Sequence, residues 1–209
     1  MIEPTIESQP TAVLSQEHQV ILRMLKVFER ILDEADATGH VDGADSGEVL
    51  DFLRTFADRC HHFKEEDLLF PSLLGKGLPG EQGPVAVMLM EHREGRSHVR
   101  ELTLQLDAAA KGDAEALSTF SGCARAHAAL LRDHIAKEDQ VLFPLAERAL
   151  DPRTKQELLR AFEEAETLHH PGTHERMLDI ARRLCRKYGI GDEPIATSCS
   201  GFQRSGAGP

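Results

Sequence analysis

Two histidine–carboxylate pairs stand four residues apart in this chain, His61 with Glu65 and His134 with Glu138. Residues at that spacing lie one turn apart on a shared helix face, about 6 Å along the axis. Each pair can therefore aim an imidazole and a carboxylate at one point. Both pairs belong to an internal repeat. Residues 61–71 read HHFKEEDLLFP and residues 134–144 read HIAKEDQVLFP, sharing H-x-x-K-E-[ED]-x-x-L-F-P. Upstream of each copy lies an EH pair, Glu17-His18 and Glu91-His92. The gap from His18 to His61 is 43 residues, and from His92 to His134 it is 42. Each half thus supplies a helix with one histidine, then a helix with a histidine and a glutamate, as matched sets facing each other.

All six residues fall on apolar stripes, so the interior would hold four imidazoles and two carboxylates. Burying that much polarity without partners costs several kcal/mol per group. A cation that takes the lone pairs offsets the cost. Six mixed nitrogen and oxygen donors exceed what one tetrahedral zinc takes. They suit two iron-class ions with carboxylates bridging the pair. A single buried histidine is more often a satisfied core residue, and one His-x-x-x-Glu is usually a surface contact. The duplication on apolar stripes decides for metal. Lys64, Lys137, Glu66 and Asp139 read as solvated or supporting groups, and Phe70-Pro71 and Phe143-Pro144 as a core plug and helix stop. His127, two turns before His134, reads as core or support. His40 and His98 read as solvated.

The elements that position these residues follow from apolar residues recurring at three and four. Helices are expected over about 11–37, 46–70 (stopped by Pro71), 83–111 and 113–149. The inward stripes include Leu14, His18 and Ile21, then Ala57, His61, Glu65 and Leu68, then Met88, His92 and Val99, then Leu131, His134, Glu138 and Val141. A further helical region, about 152–187, is interrupted at Pro171-Gly172. The expected fold is all-α: an up-and-down antiparallel four-helix bundle over 11–150 with an appended helical segment over 151–190. Residues 1–10 and 191–209 read as a loose arm and tail.

Composition narrows the function. Thirty-five Asp and Glu against 24 Lys and Arg give a formal charge of -11. That balance disfavours nucleic acid or an anionic membrane as partner. No apolar run approaches a membrane span, and the acidic opening MIEPTIESQP shows no secretory signal. Cys60, Cys123, Cys185 and Cys199 are scattered, as expected in a reducing cytoplasm.

With His18, the H61-x-x-x-E65 pair, His92 and the H134-x-x-x-E138 pair in this order, the chain resembles the hemerythrin-like (HHE cation-binding) family over about residues 11–150. The resemblance implies a four-helix bundle with a non-haem di-iron centre, oxo- or hydroxo-bridged, and Glu65 and Glu138 as bridging carboxylates. It also implies O2 binding or sensing, or peroxide, NO or iron handling. Oxygen-carrying members place a second histidine one turn after the third-helix histidine. Here that position is Arg96, which cannot ligate and is expected to turn toward the rim and pair with Glu91 or Glu94. His174, after the break in HHPGTHE, is either a polar position near a helix start or a ligand that fills the vacancy. The working expectation is a cytoplasmic di-iron protein meeting O2, H2O2 or NO. The alternative is an iron-responsive regulatory module without turnover. A ferritin-like oxidoreductase is disfavoured, because that class uses Glu-x-x-His.

Overall fold

The computed structural model describes residues 9–169 and 171–191. Residues 1–8 and 192–209, which hold most of the expected arm and tail and also Cys199, lie outside the described residues, as does His170. Among the described residues the fold is all helical, with no strand. None of the described helices is long and apolar enough to cross a membrane.

Helix α1 (Pro10–Thr38) starts at a proline in its first turn, where the missing N–H costs nothing, and ends at Gly39 in the left-handed conformation (φ 78°). Pro10 is thus the first residue of α1 and not part of an arm. Helix α2 (43–75) is capped by Asp42, whose side chain accepts from the Asp45 amide at 2.9 Å. Helix α3 (Pro84–Ala110) and α4 (114–149) are joined by a short turn, with Asp113 capping α4. Helix α5 (152–169) is capped by Asp151, and α6 (Thr173–Lys187) follows the Pro171-Gly172 turn. α3 and α4 pack most extensively, and α6 packs on α1 and α2.

Two features depart from the sequence reading. Pro71 does not stop α2, which continues to Gly75, and Pro144 lies inside α4. Both prolines follow π-helical turns, Lys64–Leu69 and Glu138–Leu142. The wider turn removes the i−4 hydrogen bond that a proline ring would break. The same turns shift the apolar stripe by one residue. Val141, expected inside, is 53% exposed, and Leu142 is buried in its place. Leu68 is likewise half-buried while Leu69 is fully buried.

The core has two apolar clusters. One holds Ile21, Phe28, Phe52, Phe56, Val99, Phe120 and Leu131. The other holds Leu14, Leu69, Phe70, Met88, Leu142 and Phe143. On every main helix the site residues lie between members of the two clusters: His18 between Leu14 and Ile21, Glu65 between Phe56 and Leu69, His92 between Met88 and Val99. The polar residues therefore form a layer sealed above and below by hydrocarbon.

Candidate metal centre

The structure brings His18, His61, Glu65, His92, His134 and Glu138 together, all at most 2% exposed. With His62 as a seventh residue, the atoms that could hold a metal form two sets: His18, His61, Glu65 and Glu138, and His62, Glu65, His92 and His134. The glutamates join the sets. Glu65 Oε1 lies 3.5 Å from His61 Nε2, and its Oε2 lies 3.5 Å from His92 Nε2. Glu138 Oε2 lies 3.2 Å from His18 Nε2 and 3.3 Å from His134 Nε2.

The four imidazoles foreseen at the centre are each oriented from behind. His61 Nδ1 donates to Glu17 at 2.9 Å, and His134 Nδ1 donates to Glu91 at 2.9 Å. His18 Nδ1 donates to Asp139 at 3.0 Å, and His92 Nδ1 donates to Glu66 at 2.6 Å. Such partners fix the tautomer and turn Nε2 inward. Phe143 stacks on His18 and Phe70 on His92. Lys64 pairs with Glu17 and Lys137 with Glu91. The repeat positions therefore divide the work between them. The histidine and glutamate face the centre, and the lysine holds the EH glutamate. The [ED] residue and the phenylalanine set the other half's upstream histidine.

The donor set fits metal. Both oxygens of Glu65, both of Glu138, and Nε2 of His18 and His62 are buried with no hydrogen-bond partner. Such atoms are costly unless something takes their lone pairs. Metal-free, burial and the adjacent Glu138 carboxylate push the Glu65 carboxyl well up. His18 is held up at about 9, since Asp139 and Glu138 outweigh its burial. Metal uptake near neutrality must therefore displace a proton from His18.

His62 is the residue that sequence reasoning misses. In an α-helix, neighbours diverge by about 100°, so only His61 is expected on the inner face. The π-helical stretch Leu53–His62 ends on both histidines, and both are buried. The ring of His62 stacks on His92 with centroids 3.8 Å apart. The HH doublet, where the second repeat has HI, is the one sequence signal that marks it.

Arg96 is at the rim, but its partners are Asp58 and Glu66, each at 2.7 Å, and not Glu91 or Glu94. Those carboxylates also accept from His62 (3.4 Å) and His92, so Arg96 stands behind the imidazoles of one set. His174 lies in a third group with Glu17 and Glu166, apart from the two sets. Its ring packs against Phe56. The buried Lys64 ammonium already bridges Glu17 and Glu166 there. His98, expected to be solvated, is half-buried and edge-on to His127.

His127 is 4% exposed, and both of its nitrogens lack a partner. Burial, with His98 nearby, lowers it from the ordinary 6.5 to about 4. The unfolded chain takes up this proton first as pH falls, so stability drops between about 6.5 and 4, by about 3 kcal/mol at the lower end. Metal-free His127→Leu should therefore lose less stability to acid than metal-free wild type. Parallel urea midpoints across pH 4–7 would contradict this.

No solved structure gives a significant match to the chain. Uncharacterized proteins of Mycobacterium tuberculosis (Rv1995) and Mycobacterium bovis (Mb2018) are each 25% identical over 153 residues, covering 73% of this chain and 59% of theirs. The matched region is thus about three fifths of these relatives' length. The model of the hemerythrin HHE cation-binding domain matches residues 9–146, which hold both repeats and both EH pairs. The chain belongs to the hemerythrin HHE cation-binding family.

Proposed function

We propose that this is a di-iron protein that binds O2 or related small ligands and handles or senses peroxide or NO. The observation that carries the reading is the ring of buried, partnerless donor atoms on Glu65, Glu138, His18 and His62. α1 to α4 are read as the family's up-and-down bundle, with α5 and α6 appended. His18 and His61 would hold one ion, and His62, His92 and His134 the other. Glu65 and Glu138 would bridge them. His62 then supplies the fifth imidazole that Arg96 cannot, which makes the His174 ligand reading unnecessary. When bound there, two ions of variable valence would supply electron exchange with O2, H2O2 or NO.

The chain's own residues supply the rest. Glu17, Glu91, Glu66 and Asp139 hold the rings in one tautomer, and the two apolar clusters close the layer above and below. A cavity between α2, α3 and α4 reaches His62, His92 and His134 from outside, giving a small ligand an entry. A cytoplasmic setting suits the free thiols Cys60, Cys123 and Cys185. Nucleic acid and membranes are not the expected partners of so acidic a chain. In the test, anaerobically iron(II)-loaded protein is exposed to O2 and, separately, to H2O2. A changed visible spectrum and faster peroxide loss than in iron-free protein are expected. A spectrum blind to both oxidants, with no peroxide loss, would overturn the reading.

A further inference from the structure

The cavity is far larger than O2 or peroxide requires. It measures about 470 Å³, within the range of sites for organic molecules. A water occupies roughly 30 Å³ of liquid. The wall is apolar where Leu53, Ala57, Val99 and Leu131 line it. The mouth is cationic. Arg54, Arg59 and Arg100 line it and are exposed, and none has an ion-pair partner among the described residues. Three unpaired guanidinium groups round one opening are notable in a chain of net charge -11. The cavity's acidic members are already engaged, Asp58 by Arg96 and Glu91 by Lys137. Further in, His127 lines the same space with two buried, partnerless nitrogens. A buried imidazole in a cavity wall with neither nitrogen bonded to protein is a hydrogen-bonding group open to a ligand or a water.

We propose that this cavity binds an amphipathic organic anion, a carboxylate with an alkyl or aryl body. The carboxylate lies against Arg54, Arg59 and Arg100, since guanidinium forks match carboxylate geometry. The body lies along Leu53, Val99 and Leu131, toward the imidazoles of His62 and His92. His127 offers a hydrogen bond to a polar group on the buried end. The inference concerns the cavity's own side chains and holds whichever small ligand the metal centre takes.

The test is calorimetric titration of octanoate into metal-loaded and metal-free protein, with octylammonium as the charge-reversed probe. Octanoate should bind both forms with similar affinity, and octylammonium at least tenfold more weakly. Replacing the exposed Arg54 and Arg100 by Gln should weaken octanoate at least fivefold, with helix content and iron content unchanged. Gly95→Leu fills the cavity from α3. A Cβ there meets His127 in ordinary contact at 3.6 Å, and leucine is the better helix former. This variant should stay folded and lose octanoate binding. Octanoate binding only to metal-loaded protein would mean direct metal ligation and would overturn the proposal. Equal binding of octylammonium, unchanged affinity in Gly95→Leu, or no binding at millimolar octanoate would also overturn it.

Discussion

Glu65→Gln is expected to leave fewer than one iron ion per chain after anaerobic loading and desalting. Glu65 is the residue common to both donor sets, with one oxygen toward His61 and the other toward His92. The amide keeps the shape and removes the charge, so the fold should survive. It also removes a carboxyl that burial and Glu138 make costly in the metal-free state. The metal-free variant should thus be at least as stable as metal-free wild type. Iron should raise the wild-type melting temperature by roughly 10 °C, since binding to the folded state alone is folding energy. That rise should vanish in Glu65→Gln. A variant that retains two ions and the full rise would exclude Glu65 as a shared ligand.

The two repeat lysines make the second large effect. They hold equivalent positions, Lys64 against Glu17 and Lys137 against Glu91. Their surroundings differ. The Lys64 side chain is 1% exposed and also holds Glu166 of α5, under the ring of Phe162. Lys137 is 41% exposed. Removing one partner of a buried ion pair leaves an uncompensated charge, at about 3–5 kcal/mol. Removing an exposed partner costs under about 1 kcal/mol. Lys64→Met should therefore lower the melting temperature by roughly 10 °C, and Lys137→Met by no more than about 3 °C. Equal losses in the two variants would show that the cover over Lys64 adds nothing.

Much of this centre is legible in the duplicated motif alone. Four helices and the six inward donors follow from periodicity and from the repeat, because an amphipathic stripe and an i,i+4 pair are local properties. The π-helical turns are not legible from a 3.6-residue period, because each adds a residue to the turn and moves the inward stripe by one. That one omission accounts for the continuation past Pro71, the outward turn of Val141 and the inward turn of His62. The partners of Arg96 are also out of reach of local patterns. Asp58 and Glu66 lie on a different helix, and only the packing of α2 on α3 brings them within 2.7 Å. The roles of Glu17 and Glu91 depend on the same kind of contact between helices.

The most direct test of the paired centre is to count iron and protein in the same desalted sample of anaerobically loaded chain. Two donor sets that share Glu65 and are joined by Glu138 predict two ions per wild-type chain. They predict one in His62→Ala, because the set holding His92 and His134 is then short of a ligand. A wild-type chain that saturates at a single ion would contradict the paired centre.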